Sequence, residues 1–392
     1  MTGQKVAIVA GARTPVGRFG GAFKDTPAHE LGAQATAEAL RRSGIAPDRV
    51  GEVVIGTIGQ VAGDAYISRR IALAAGLDVN TPAFTVNRLC GSGLQAIWSG
   101  AQELLWGGID VAVAGGAENM TRMPFYDFNA RFNDRLGHRS LLDGTIAMLT
   151  DPFGEKHMGV TAENVAERFS VTREEQDAFA LESQKRAASD AAQAAFAEEI
   201  VAVTTSGRKP VEVSADEHPR PETTLESLAA LPSAFAREGT VTAGNSSGIN
   251  DGAASTVLMR EADARAEGAP VLATIEAVTT AALEPEIMGY APTLALKKLF
   301  KNTGLTPADI ATVELNEAFA SQALAVIRDA ELDPARTNPY GGAIALGHPV
   351  GATGAILTVR AALTLQRTGG EYAVVTMCIG GGQALAALLK RG

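Results

Sequence analysis

Apolar residues along the chain fall into two alternating patterns. Short runs rich in Val, Ile and Ala alternate with longer segments of helical period, and glycines cluster where one gives way to the other. Lys5–Ala10 is an apolar run that predicts a buried strand. A Gly-rich loop follows, in which Arg13 and Arg18 are candidate structural pins or loop anchors; its glycines do not fit a dinucleotide-binding fingerprint. Thr26–Pro27 opens a helix running to about Ser43, with Gly44 as its stop. Glu52–Ile58 is a second strand, and the polar stretch Asp64–Arg70 leads to a short helix. Phe84–Val86 is extended and enters a tight turn, Cys90–Gly93. An apolar helix then runs from about Leu94 to Leu105, and IDVAVAGGAENM is a strand closing in glycines.

The texture changes after Met120. Residues 120–248 carry mixed charge, scattered aromatics, prolines and two helical segments, the second opening with a capping box from Thr172 to Glu175. An irregular stretch of this length inside a compact chain is usually functional. SSGINDGAASTVLM predicts a turn, a short helix start and a strand. From about residue 270 the strand–helix rhythm resumes. NPYGGAIALGHPVGATGAILTVRAALTLQRTGG mirrors the Cys90 region, and EYAVVTMCIGGGQALAALL mirrors the glycine-closed strand after it. The chain therefore reads as α/β, built from two similar halves, each with an unusually apolar helix buried between sheets. The expected division is 1–119 with 249–269 as the first half, 120–248 as an inserted loop domain, and 270–392 as the second half.

Composition narrows the function. The chain has 392 residues, 46% hydrophobic, with a net charge of −10 and no block of like charge. Nucleic acid and anionic membranes are excluded as general partners, so an anionic ligand must find local arginines and helix N-termini. No uncharged apolar run is long enough to span a bilayer. Two cysteines exclude a disulfide scaffold, and with no signal segment at the start a cytoplasmic location is expected.

Both cysteines sit in Gly-rich turns at element ends. Cys90 lies at the mouth of a helix, where free N–H groups and the dipole favour a thiolate; the alternative is a buried structural cysteine. His348, in GHPVGATG, is placed at a helix N-terminus by Pro349, and the dipole there keeps its ring neutral and able to accept a thiol proton. Cys378 precedes Gly380–Gly382, whose successive N–H groups can form an anion-binding nest. Asn316, at a strand end, reads on its own as a helix N-cap.

NRLCGSGLQA, GTVTAGNSSGINDGA, NEAFA, GGAIALGHPVGATGA and CIGGGQ, in this order and spacing, resemble the thiolase family over essentially the whole chain. The resemblance implies a five-layered α-β-α-β-α thiolase fold and acyl-CoA C-acyltransferase chemistry, run as condensation or as thiolysis. No metal or resident cofactor is implied; coenzyme A is substrate and product. Cys90 would be the acylated nucleophile, His348 its activator and Cys378 the acid/base at the α-carbon. Asn316, through a held water, and His348 would form one oxyanion hole, and the N–H groups of Cys90 and Gly380 the other. Arg220 and Ser227 would lie near the adenosine end of CoA and Ser247 near the pantetheine. His157, Met158, Phe235, Met288 and Phe319 would line the pantetheine and acyl channel. KHMGVTAEN is similar to short-chain, biosynthetic-type members. ALPSAF departs from the family's usual basic residue and proline before this Phe. NDRLGHRSLLDG departs from its tetramer-forming loop, leaving dimer and tetramer open. A ketoacyl-synthase-like condensing enzyme would use a Cys with two His, where this chain has Cys378; a non-catalytic acyl-CoA or lipid-binding protein would be expected to lose part of the set.

Overall fold

The computed structural model describes residues 4–132, 136 and 138–392, so part of the NDRLGHRSLLDG departure lies outside the described residues. Strand β1 (Val6–Arg13) is buried along its whole length, as an apolar run needs when both faces of its sheet are covered. Helix α1 (Ala28–Ser43) ends at Gly44 with φ 70°, the left-handed cap that glycine adopts without strain. Then follow β2 (Glu52–Gly56), α2 (Ile67–Ala74), β3 (Ala83–Val86), α3 (Ser92–Trp106) and β4 (Val111–Asn119). Residues 120–249 carry α4 (Met158–Arg168), α5 (Arg173–Ala187) and α6 (Asp190–Glu199), with loops and two-stranded ribbons before and after them. The Thr172–Glu175 capping box at the start of α5 is present with both its bonds.

Strand β5 (Asn250–Arg260) occupies the stretch where a short helix start was expected. It is extended throughout because it pairs with β4 on one side and β1 on the other. The second half comprises β6 (Ala273–Ala282), α7 (Ala291–Thr303), β7 (Ile310–Leu315), α8 (Ala320–Asp329), α9 (Thr353–Thr368), β8 (Tyr372–Ile379) and β9 (Gln383–Arg391).

Pairing repeats between the halves. In the first, β2 is parallel to β4, β4 antiparallel to β5, and β5 antiparallel to β1, with β3 added parallel at the edge. In the second, β7 is parallel to β8, β8 antiparallel to β9, and β9 antiparallel to β6. The sheets join where Val6–Ile8 pair with Ala273–Ile275. Helices α1 and α2 cover the outer face of the first sheet, and α7 and α8 that of the second. Helices α3 and α9 fill the middle, which makes five layers. The two central helices touch through glycine: a Cβ on Gly354 would lie 2.4 Å from the Leu94 nitrogen, and one on Gly93 2.8 Å from the Ala355 nitrogen.

Arg13 is indeed a pin. Its Nε donates to Glu199 of α6 at 2.7 Å, and its terminal nitrogens donate to both oxygens of Asp216 at 2.7 and 3.0 Å. Arg360 of α9 also reaches Glu199, at 3.2 Å. Buried ions persist only when paired this way, and the pairing fastens the segment carrying His218 and Arg220 over the core. Among the described residues no helix is long and apolar enough to cross a membrane.

Candidate active site

Cys90 stands on a turn between β3 and α3. The residue before it, Leu89, has φ 47°, a conformation a branched L-residue keeps only when its neighbours impose it. Three hydrogen bonds do so. Leu89 N–H donates to Asn87 Oδ1 (3.0 Å), Ser92 Oγ donates to the Leu89 carbonyl (2.6 Å), and Arg88 N–H donates to Ser92 Oγ (2.9 Å). The turn packs tightly on the second half, since a Cβ on Gly91 would meet Ile379 Cδ1 at 2.5 Å. Burial pushes the Cys90 thiol up to about 11, while the N–H groups of Gly380 and of Cys90 itself pull it down. This corrects the expectation of a dipole-stabilised thiolate: desolvation outweighs the helix mouth. The resting sulfur is a thiol, so a nucleophilic role for it would require a base.

His348 does not open a helix. Helix α9 begins at Thr353, and Pro349–Ala352 form the turn leading into it, with the Pro349 carbonyl accepting from the N–H groups of Ala352 and Thr353. The ring is neutral as expected, but burial is the cause, pushing its pKa down to about 4. Its Nε2 lies 3.4 Å from Asn316 Nδ2 and its Nδ1 2.6 Å from Thr353 Oγ1. Its backbone N–H donates to Asn250 Oδ1 at 3.0 Å. Gly347 (φ 96°) is confined by the same asparagine, because a Cβ there would fall 2.5 Å from Asn250 Cγ.

Asn316 is not an N-cap. Helix α8 starts four residues later, the Asn316 N–H donates to the Thr376 carbonyl at 3.0 Å, and the buried Oδ1 has no partner among the described residues. Cys378 is the penultimate residue of β8 and is buried. Burial first, and then the neighbouring Cys90, hold its thiol well above the usual range. Gly381 and Gly382, at φ 80° and 79°, close the hairpin into β9.

Cys90, His348, Cys378 and Gly380 line one cavity of about 390 Å³. His157, Met158, Phe235, Ser247, Met288, Phe319 and Arg220 line it too. The His157 ring stacks on Phe235 at 4.8 Å between centroids, and Phe235 meets Phe319 edge-on at 6.2 Å. His157 Nδ1 also caps α4 by accepting the Gly159 N–H at 3.1 Å. Ser247 is held against the NEAFA segment, its N–H donating to the Ala318 carbonyl at 3.0 Å. Ser227 lies apart from this group. It lines an adjoining cavity of about 270 Å³ together with Arg220 and His218, and its hydroxyl is engaged in the cap of the short helix Leu225–Ala229. Arg220 makes no ion pair among the described residues. Asn316 sits behind the cavity wall and reaches it through His348.

Glu118, Asn250, His218 and Thr353 escape the sequence reading. Glu118 is a lone acid in the glycine-rich end of a buried strand, and that misfit was a usable signal. Nothing in the local pattern separates the other three from ordinary polar residues.

Residues 6–262 match the family description "Thiolase, N-terminal domain" and residues 269–391 match "Thiolase, C-terminal domain". A Cupriavidus necator protein described as beta-ketothiolase BktB is 47% identical over 391 residues, covering 99% of each chain. A Staphylococcus aureus protein described as a probable acetyl-CoA acyltransferase is 43% identical over 390 residues, again covering 99% of each. Among solved structures, Bacillus anthracis acetyl-CoA acetyltransferase superposes with a TM-score of 0.97 at 40% identity, covering 99% of both chains. Human mitochondrial 3-ketoacyl-CoA thiolase in complex with CoA gives 0.95 at 40% identity, covering 99% of this chain and 98% of that one.

Proposed function

The chain belongs to the thiolase family, and from that membership we propose how its own residues carry the reaction. It is an acyl-CoA C-acyltransferase that joins two acyl-CoA molecules into a 3-ketoacyl-CoA and CoA, or cleaves a 3-ketoacyl-CoA with CoA. In our reading the Cys90 sulfur attacks the thioester carbonyl. A bond forms from sulfur to carbon, the thiol proton of Cys90 passes to His348 Nε2, and the departing CoA sulfur takes the proton of Cys378, which is left a thiolate; where Cys378 is absent, His348 can give CoA its proton instead. Splitting the reaction through an acyl-enzyme replaces one hard step with two easier ones. The Cys378 thiolate then withdraws the α-proton of the second acyl-CoA, whose carbon attacks the acyl group, and the released Cys90 sulfur takes back its proton from His348. Charge builds on a different carbonyl oxygen in each step, so two donor sites are required. The N–H groups of Cys90 and Gly380 suit the acyl-enzyme, and His348 with Asn316 the second thioester.

The observation that carries this reading is that both cysteines, His348 and the Gly380 amide line one cavity whose wall continues to Arg220. Arg220 and Ser227 would meet the anionic end of CoA, and the stacked His157, Phe235 and Phe319 its pantetheine arm. The steps proposed here call on the chain's own side chains and backbone N–H groups, with CoA as substrate and product. We read residues 120–248 as a cover over halves formed by 1–119 with 249–269 and by 270–392. We also read the protein as a homo-oligomer: β3 is an open sheet edge, and Phe84 on it and Tyr66 nearby are exposed, which makes a pairing surface. Two working thiols suit a reducing cytosol. The test is Cys378→Ala. The variant should still acylate Cys90 from acetyl-CoA, yet lose condensation, thiolysis and exchange of acetyl-CoA α-protons with deuterated solvent. Exchange at the wild-type rate would place the base elsewhere.

A further inference from the structure

Thr353 is the first residue of α9 and touches the catalytic turn twice. Its Oγ1 lies 3.0 Å from the Pro349 carbonyl and 2.6 Å from His348 Nδ1. A hydroxyl has one proton to give and lone pairs to accept with. The carbonyl can only accept, so that contact uses the hydroxyl proton. The short contact to Nδ1 then requires the proton to sit on the ring. The alternative, with the hydroxyl proton on Nδ1, leaves two oxygens facing each other at 3.0 Å with no hydrogen between them. Nδ1–H is therefore the arrangement that satisfies both contacts. It leaves the Nε2 lone pair facing Asn316 Nδ2, an amide N–H that can donate to it at 3.4 Å.

From this geometry we infer that Thr353 is the positioning residue of His348. It fixes the Nδ1–H tautomer in the resting enzyme, and with it the base that takes the Cys90 proton. When His348 has taken the Cys90 proton on Nε2, its ring carries a proton on each nitrogen, and Nδ1–H goes on donating to Thr353 Oγ1. Nε2–H can then serve the second thioester as a donor. One imidazole thus acts as base in the first half-reaction and as donor in the second without its hydrogen bond to Thr353 changing.

The inference rests on His348 being the base, and its test separates the two ideas. The tautomer is read by nitrogen NMR of 15N-histidine-labelled protein without substrate, with the His348 signal assigned by loss in His348→Asn. We expect a protonated, pyrrole-type Nδ1 and a pyridine-type Nε2. Thr353→Val should mix or reverse the tautomers, and should slow both acetylation of Cys90 and α-proton exchange by about tenfold or more, the scale of one lost hydrogen bond at a reacting group. Thr353→Ser should restore the tautomer and bring both rates back to within about threefold. If the valine variant does not fold, the wild-type spectrum and the serine variant still decide. An Nε2–H tautomer in resting wild type, or a valine variant acetylated at the wild-type rate, overturns the inference. A correct tautomer in a protein that never acylates Cys90 would overturn the reaction instead.

Discussion

Glu118 ties the first half's loop to the turn that carries His348, and its replacement has a cost that can be worked out from its contacts. Oε1 accepts from Thr57 Oγ1 (3.1 Å) and the Gly59 N–H (3.0 Å). Oε2 accepts from the N–H groups of Ile58 (2.9 Å) and Gly351 (3.0 Å). Burial pushes its carboxyl up to about 7, and these four donors pull the other way. In Glu118→Gln the amide nitrogen settles best on the Oε1 side, because the Thr57 hydroxyl can turn and accept from it. One buried N–H, that of Gly59, then loses its partner, at about 1–3 kcal/mol. The bond to Gly351 survives, so the His348 turn keeps its place. Glu118→Leu, of similar size, strands all three backbone N–H groups, at roughly 3–9 kcal/mol, a large share of what a folded protein has in reserve. Urea midpoints and the rate of acetylation by acetyl-CoA should therefore separate the variants. The glutamine protein should be mildly destabilised and acylate within a fewfold of wild type, whereas the leucine protein should be severely destabilised and slow. Equal losses in the two variants, or a leucine variant as stable as wild type, would refute this account of Glu118.

Gly354→Ala would place a methyl 2.4 Å from backbone nitrogen in α3. The central helices must then part, and urea unfolding should show a loss of about 1–3 kcal/mol or more; an unchanged midpoint would contradict the close approach. Burial, and then Arg220, lower the pKa of His218 to about 4. Its neutral state in the fold therefore stabilises above the unfolded value near 6.5, and that contribution is lost as pH falls through about 4. Wild type should lose about 3 kcal/mol more than His218→Asn between pH 7 and pH 4, and a pH-independent difference would refute the shift. Arg220→Ala should raise the KM for CoA with little change in kcat, the signature of lost uniform binding; an unchanged KM with collapsed kcat would contradict its place at the anionic end.

The strands, the two central helices and the glycine turns that present Cys90, His348 and Cys378 were legible because each is written locally: an apolar run, a cap, a glycine where the chain must turn. The state of the groups on those turns was not. Cys90 sits at a helix mouth, but its thiol is governed by desolvation from residues of both halves, which no local pattern reports. His348 is neutral for the same reason and not through a helix dipole. Asn316 read alone as a cap, and only the family motifs around it pointed to the site. Glu118 joins Thr57–Gly59 to Gly351, and Arg13 reaches Glu199 and Asp216; spacings of this kind leave no periodic trace. The strand at Asn250–Arg260 was partly missed because its pairing on both sides, not its Gly- and Asn-rich start, decides its conformation.

The proposed reaction turns on a covalent acyl group at Cys90. Wild-type protein incubated with acetyl-CoA and quenched in acid should gain one acetyl group by intact mass, and peptide mapping should place it on Cys90, with none on the Cys90→Ala variant. An acetyl group found on Cys378 instead, or no acetylation in a preparation that turns over, would contradict the account.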